Sequence, residues 1–403
     1  MSQPIALAER IRNLGTETVF AVSQAASDHA ANGNTVYPFH IGDVNIGAAP
    51  NVIAAQQAAI AGGKAGYVAP QGILPLREAV ADDVGSRRGL SYGPENVAIV
   101  TGGKPVIGKF IQTMMNPGDE VLYPSPGFPI YESMIEYFAG VAVPYRYLMD
   151  DRGTLRLDLD YMRSKISHRT RFLIFNNCHN PTAAESSQAE IEQLADLVLA
   201  NNLFVLSDDA YSEVRYGGRT HHLVSIPGLS DRTVILYTFS KKFGMTGWRL
   251  GAAIGPKPII DGIAQLNLND ESCTTSFVQW AGVEALRSPA TQLHCDQLLN
   301  TLRERRDEGF KILNTIKGIT VTKPDCAFYF YPDVTDAMFA KGFQHVNDFA
   351  RAALLETGVS FATRLHFNRP HPNETRAFVR LSYSGIAINQ IREGLTRFKN
   401  WLN

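Results

Sequence analysis

The sequence predicts an α/β protein with a mostly parallel sheet and a second, smaller domain, and two observations carry that prediction. Short apolar runs near residues 97–101, 120–123, 171–175, 203–207, 234–239 and 250–254 alternate with longer helical patterns such as 188–200. Alternation of that kind builds strand–helix–strand units and a parallel sheet. From about residue 290 the pattern changes to a long helix over 290–317, two strands near Val321 and Phe328, and an amphipathic helix from Ala387. With 403 residues, 45% of them hydrophobic, the chain has the length for two or three domains and the apolar material for a large core. Open sheets of this type gather ligands at the carboxyl ends of their strands. The residues singled out below fall at those ends.

Composition excludes several classes of function. The formal charge is -1 with acidic and basic residues interspersed, so no basic stripe suits nucleic acid and no cluster suits a lipid surface. Small-molecule partners are expected instead. Cys178, Cys273, Cys295 and Cys326 show no CxxC spacing, which argues against a zinc site or a disulfide framework and for reduced thiols in a cytoplasm. The stretch from Met1 to Arg10 has no apolar core, and no later run reaches membrane-spanning length. The expectation is therefore a cytoplasmic protein without an export signal.

The chemistry starts at Thr238-Phe-Ser-Lys241-Lys-Phe-Gly-Met-Thr-Gly-Trp-Arg249-Leu-Gly251, where a lysine and an arginine stand eight residues apart among small residues. A lysine amine attacks an aldehyde once its surroundings lower its pKa, and a planar guanidinium grips phosphate oxygens through two parallel hydrogen bonds. Pyridoxal phosphate requires both groups. The offsets to Gly244, Gly247 and Arg249 select Lys241 and leave Lys242 as surface charge; taken alone, the run also reads as a solvated loop. It resembles the class I aminotransferase lysine signature and departs from it at Thr238, where Ser or Gly is usual.

Further motifs extend the resemblance. Val100-Thr-Gly-Gly-Lys104 follows a strand and precedes the helical pattern 106–115, a place where backbone amides bind phosphate, although a bare Gly-Gly turn is also an ordinary connection. The resemblance makes Gly103 and Lys104, the latter by its backbone alone or with its side chain, join Thr238 and Arg249 in a phosphate cradle. Asp208 and Tyr211 in Leu206-Ser-Asp208-Asp209-Ala-Tyr211 resemble the family's Asp-x-x-Tyr element. By that resemblance Asp208 pairs with the pyridine nitrogen, while Tyr211 and Asn180 donate to the cofactor phenolate. Their ordinary readings are a helix cap and a core tyrosine. Asn180-Pro-Thr182 matches Asn-Pro-Thr-Gly, with Ala183 in place of the glycine. Phe128 aligns with the ring-stacking aromatic, or is simply core.

Substrate recognition rests on Phe378-Val-Arg380-Leu-Ser-Tyr-Ser384, an arginine inside an apolar strand pattern, which needs an anionic partner or a structural salt bridge. The resemblance assigns Arg380 to the substrate α-carboxylate, with Asn180 and the Gly42 backbone beside it. It also makes Tyr67 the residue that reaches the neighbouring subunit's cofactor phosphate, which implies a homodimer with shared active sites.

Running from about Ile5 to Leu402 with its motifs in family order, the chain resembles class I/II, fold type I, pyridoxal-phosphate-dependent aminotransferases of the aspartate aminotransferase kind. The resemblance implies a mostly parallel seven-stranded sheet in a large domain, 46–289, and a smaller α+β domain from 1–45 and 290–403. It also makes an N-terminal helix, 5–32, pack with the C-terminal part. The implied reaction moves an amino group between an L-amino acid and a 2-oxo acid by a ping-pong Schiff-base mechanism at Lys241, with no metal. The alternative is a fold type I lyase, cyclase or oxidase whose pocket is remodelled by the Ala183, Cys326 and Arg364 segments; a regulatory module is a third reading. Cys326 stands where relatives have glycine, and the basic run 363–371 makes Arg364 or His366 a reader of an acidic side chain, or else part of a solvated loop.

Overall fold

The structure is a computed structural model that describes all residues except 1–4, 16, 17, 151 and 152. Seven strands form the central sheet: β1 (Val97–Val100), β2 (Glu120–Pro124), β3 (Val141–Tyr145), β4 (Thr170–Phe175), β5 (Phe204–Asp208), β6 (Thr233–Thr238) and β7 (Gly251–Ile254). Their spatial order is β1-β7-β6-β5-β4-β2-β3. All neighbours are parallel except β7, which runs antiparallel to both β1 and β6. Its reversal matters for the site. Gly251 pairs with Val100 and with Thr238, so the chain entering β7 arrives at the carboxyl ends of its neighbours.

The strands read as continuous apolar runs because helices cover both faces; all four residues of β1 are buried. Helix α1 (Val19–Ala31) precedes the sheet, α2 (Lys104–Met114) follows β1, and α3 (Gln188–Ala200) links β4 to β5. Ser187 caps α3 through a reciprocal box with Glu190. The strand missing from the sequence reading is β3. It lies at the sheet edge, carries Pro144 and exposes Val141, and an edge position tolerates a proline that breaks the apolar signal.

Beyond the sheet, α4 (Pro289–Leu313) is the expected long helix, four residues shorter at its end, and α5 (Ile388–Leu402) is the expected final one. Near Val321 there is only a single bridge, Thr320 to Asp333, and no strand. Near Phe328, β8 (Tyr329–Phe330) pairs antiparallel with β10 (Val379–Ser382), which also pairs with β9 (Ala362–Thr363). Phe328, Phe330, Phe349, Phe361 and Phe398 belong to one core here, joined by Tyr211 and Cys178 from the strand ends of the large sheet.

The N-terminal region is shorter as a helix than expected. A 3-10 turn at Glu9–Asn13 precedes α1, and residues 16 and 17 of the expected span lie outside the described residues. Thr18 Oγ1 meets His366 Nδ1 at 2.7 Å, whereas Asn13 Nδ2 donates to the Glu136 carbonyl at 3.0 Å. The segment thus leans on the large sheet's helices as well as on the C-terminal part. No described helix is long and apolar enough to cross a membrane.

Candidate active site

The carboxyl ends of β1, β2, β4, β5 and β6 converge on a cavity of about 540 Å³. Of the twelve residues that the resemblance assigns to the cofactor or the α-carboxylate, eleven line it: Gly42, Gly103, Lys104, Phe128, Asn180, Asp208, Tyr211, Thr238, Lys241, Arg249 and Arg380. Tyr67 does not, and its side chain is 90% exposed.

One end of the cavity is built for an anion. Gly103 caps α2 and lines the cavity with Thr238 and Arg249, and a helix start is a ready anion site. Gly102 has φ +98°, and a Cβ there would lie 2.3 Å from Arg249 Nη2; only glycine lets the guanidinium lie against this loop. Thr238 Oγ1 donates to Ser240 Oγ at 3.0 Å. Thr238 packs against Gly103, where a Cβ would come 3.0 Å from Thr238 Cβ and 3.4 Å from its hydroxyl oxygen.

Asp208 and its neighbour are sorted by their partners. The Asp208 carboxylate accepts from Tyr131 Oη at 2.6 Å and from the Ala210 amide at 3.2 Å. Burial pushes its pKa up to about 6, opposed by those two bonds and reinforced by Asp209. Asp209 turns away to Arg88 Nη2 at 2.5 Å and His222 Nδ1 at 3.3 Å, and although burial opposes it, this pairing holds its carboxyl far below the usual range. Only Asp208 faces the cavity.

Lys241 Nζ donates to the Gly42 carbonyl at 2.8 Å and lies 5.5 Å over the Phe328 ring. Burial brings its pKa down to about 8; Asp43 opposes this, and Arg380 and Arg249 add to it. Opposite stands Arg380. Its Nη1 donates to Asn180 Oδ1 at 3.0 Å and its Nη2 to the His40 carbonyl at 2.8 Å. Its Nε is buried without a partner among the described residues, so the guanidinium keeps an unmet donor. His40 is kept neutral, its pKa brought down to about 4 by burial and then by Arg380.

The family described as aminotransferase class I and II matches residues 35–398. The chain belongs to the class I and II aminotransferases. The aspartate/prephenate aminotransferase of Cereibacter sphaeroides is 31% identical to it over 401 residues, 98% of each chain. The probable aspartate/prephenate aminotransferase of Aquifex aeolicus is 30% identical over 400 residues, again 98% of each. The solved aspartate aminotransferase from Thermus thermophilus with maleate superposes with a TM-score of 0.90 at 28% identity, covering 98% of this chain and 100% of that one. This aminotransferase is therefore an enzyme of amino-group transfer, and the lyase, cyclase or oxidase reading is not favoured.

Several sequence expectations need correction. Ala183, Cys326 and Arg364 do not line the cavity. The first two touch each other instead, Cys326 Sγ donating to the Ala183 carbonyl at 3.5 Å. Arg364 neither lines this cavity nor sits in solvent: it is buried, ion-paired to Glu374 at 2.7 Å, and donates to the Phe367 carbonyl and Ser125 Oγ. His366 is held by Thr18 and does not line the cavity. Lys242 is not surface charge, because its side chain is 13% exposed and pairs with Glu213.

Sequence reasoning also missed Tyr131, Asn176, Ser240, Tyr329 and Phe367, all in the cavity wall. Ser240 was legible beside Lys241. The others come from ordinary-looking aromatic or Asn positions whose meaning depends on a partner far along the chain.

Proposed function

We propose that this aminotransferase holds pyridoxal 5'-phosphate in the cavity and uses it to pass an amino group from an acidic L-amino acid to a 2-oxo acid. The single observation that carries this is the convergence of Lys241, Asp208, Arg249 and Arg380 on one cavity. The residues fit the group. The Gly102–Gly103 turn, Thr238, Ser240 and Arg249 would take its phosphate; Asp208 would pair with the ring nitrogen, Asn180 and Tyr211 with the phenolate, Phe128 with the ring face, and Lys241 with the aldehyde. Bound there, the protonated ring supplies an electron sink for the substrate Cα.

The protein's own part is to bind, orient and move protons. Arg380 receives the α-carboxylate through a fork that already has Asn180 and His40 to fix its plane. Lys241 Nζ, with its lowered pKa, is a general base for the Cα proton. Asp208, at about 6, is mostly ionised at neutral pH and suits a cationic partner. The test is the visible absorbance of the cofactor-loaded protein. An amino acid should bleach the band and a 2-oxo acid should restore it; turnover without an acceptor would overturn transamination.

The choice of an acidic donor rests on the names of the relatives. Maleate, in the Thermus structure, is a dicarboxylate. The cations lining this cavity are Lys104, Lys241, Arg249 and Arg380. Acidic donors should show a kcat/KM roughly tenfold or more above neutral ones, the worth of one charged hydrogen bond, and equal values would remove the acidic-donor reading. Arg364→Ala should lower Tm, at a cost of about 3 kcal/mol for a broken buried ion pair, and slow both donor classes alike.

We further propose the division into 46–289 and 1–45 with 290–403, supported by a core drawn mostly from residues 37–44 and 298–398 beside those of the sheet, and tested by limited proteolysis at its boundaries. A homodimer with Tyr67 serving the partner's site is supported by that residue's exposure; sedimentation as a single 44.3 kDa chain would overturn it. Four unpaired cysteines suit a reducing cytoplasm, which cell fractionation tests.

A further inference from the structure

Tyr329 enters the cavity from β8, on the small sheet, and its hydroxyl oxygen lies 2.6 Å from that of Tyr211. The rings meet edge-on with centroids 5.5 Å apart, and both are buried. The Arg380 guanidinium rests 4.6 Å from the Tyr329 ring centre. Gly42 leaves room for the hydroxyl, since a Cβ there would stand 2.6 Å from it. Tyr329 thus touches three of the residues assigned to cofactor and substrate while having no role of its own.

We propose that Tyr329 is a positioning residue for Tyr211, donating its hydroxyl hydrogen to the Tyr211 oxygen so that the Tyr211 proton points at the cofactor phenolate. The proposal rests on the cofactor reading above. Each phenol has one proton and can also accept. If Tyr211 gave its proton to Tyr329, none would remain for the cofactor. Donation in the other sense frees the Tyr211 proton and, by polarising that hydroxyl, makes it a better donor. No other hydrogen-bond partner of the Tyr329 hydroxyl competes among the contacts of the described residues.

A donor to the phenolate favours the form of the Lys241–cofactor linkage in which that oxygen is most negative, which is the deprotonated one. Weakening the donor raises the pH at which the visible band titrates. The charged groups facing the tyrosine pair are Arg380, Lys241, Asp43 and Asp208. Tyr329→Phe leaves all four in place, along with the ring under Arg380, and removes one oxygen.

The experiment is a pH titration of the visible band in the cofactor-loaded wild type, Tyr329→Phe, Tyr211→Phe and the double variant. Tyr211→Phe should raise the midpoint most. Tyr329→Phe should raise it by about half a pH unit, as expected for partial loss of a hydrogen bond of ordinary strength, with KM for the amino donor unchanged. The double variant should match Tyr211→Phe, because the effect passes through Tyr211. A midpoint that moves in Tyr211→Phe but not in Tyr329→Phe overturns the proposal and leaves the cofactor reading standing. A Tyr329→Phe shift that persists in the Tyr211→Phe background overturns it too. A midpoint that Tyr211→Phe fails to move removes the assigned role of Tyr211 and the proposal with it.

Discussion

Lys241→Ala should lower kcat by at least about 10⁴-fold, the upper range for loss of a general base, and should abolish the visible band of the cofactor-loaded protein. Two roles converge on one nitrogen. As the amine that bonds the cofactor it needs to be neutral, and as the base that takes a Cα proton it needs a free electron pair again. Burial brings its pKa to about 8, with Arg380 and Arg249 helping and Asp43 opposing. The sign follows directly: the charged form is disfavoured, so the neutral amine is half populated near pH 8 instead of near the usual lysine value. The rate at which the apoprotein takes up pyridoxal phosphate should therefore rise with pH and level off above about 8. A rate still climbing steeply at pH 10 would show an unperturbed amine and contradict the assignment. Lys241→Arg separates charge from chemistry, because a guanidinium keeps the positive charge but cannot serve as the amine.

The part of this site that was legible in the sequence is the part where chemistry restricts residue type at the end of a strand. Asp208, Thr238 and the Gly102–Gly103 turn close β5, β6 and β1, and each apolar run announces its own end. The alternation that marks those strands also places their ends on one side of the sheet, so the cavity follows from the fold. What was not legible depends on contacts across long stretches of chain. Tyr131 reaches Asp208 over 77 residues and Tyr329 reaches Tyr211 over 118, and neither tyrosine differs in sequence from a core aromatic. Arg364 was misread for a related reason. A run of basic residues looks solvated until Glu374 and the carbonyls of its own loop fold over it. Tyr67 shows the opposite limit, since a single chain does not bring it to its own cavity.

Arg380→Lys should lower kcat/KM by about 10²- to 10³-fold, the cost of truncating one partner of a buried charged pair, and should do so for the amino donor and the 2-oxo acid alike. Arg380 sits between the Tyr329 and Phe367 rings, 4.6 and 4.7 Å from their centres, with Asn180 and the His40 carbonyl setting its plane. A lysine keeps the charge and loses the fork, along with the flat face that stacks on both rings. The visible band should survive in this variant, because none of the groups assigned to the cofactor is altered; its survival separates a lost substrate contact from a collapsed site. Both KM values should rise because a single arginine serves the α-carboxylates of both half-reactions in a ping-pong enzyme. A rise confined to one substrate would mean that the other carboxylate is read elsewhere. The neutral state of His40 belongs to the same argument. With its pKa near 4, it adds no second positive charge beside Arg380 above pH 5, so His40→Gln should leave the pH dependence of carboxylate affinity between pH 6 and pH 8 unchanged. A fall in affinity from pH 6 to pH 8 that His40→Gln abolished would show that His40 had been protonated there after all.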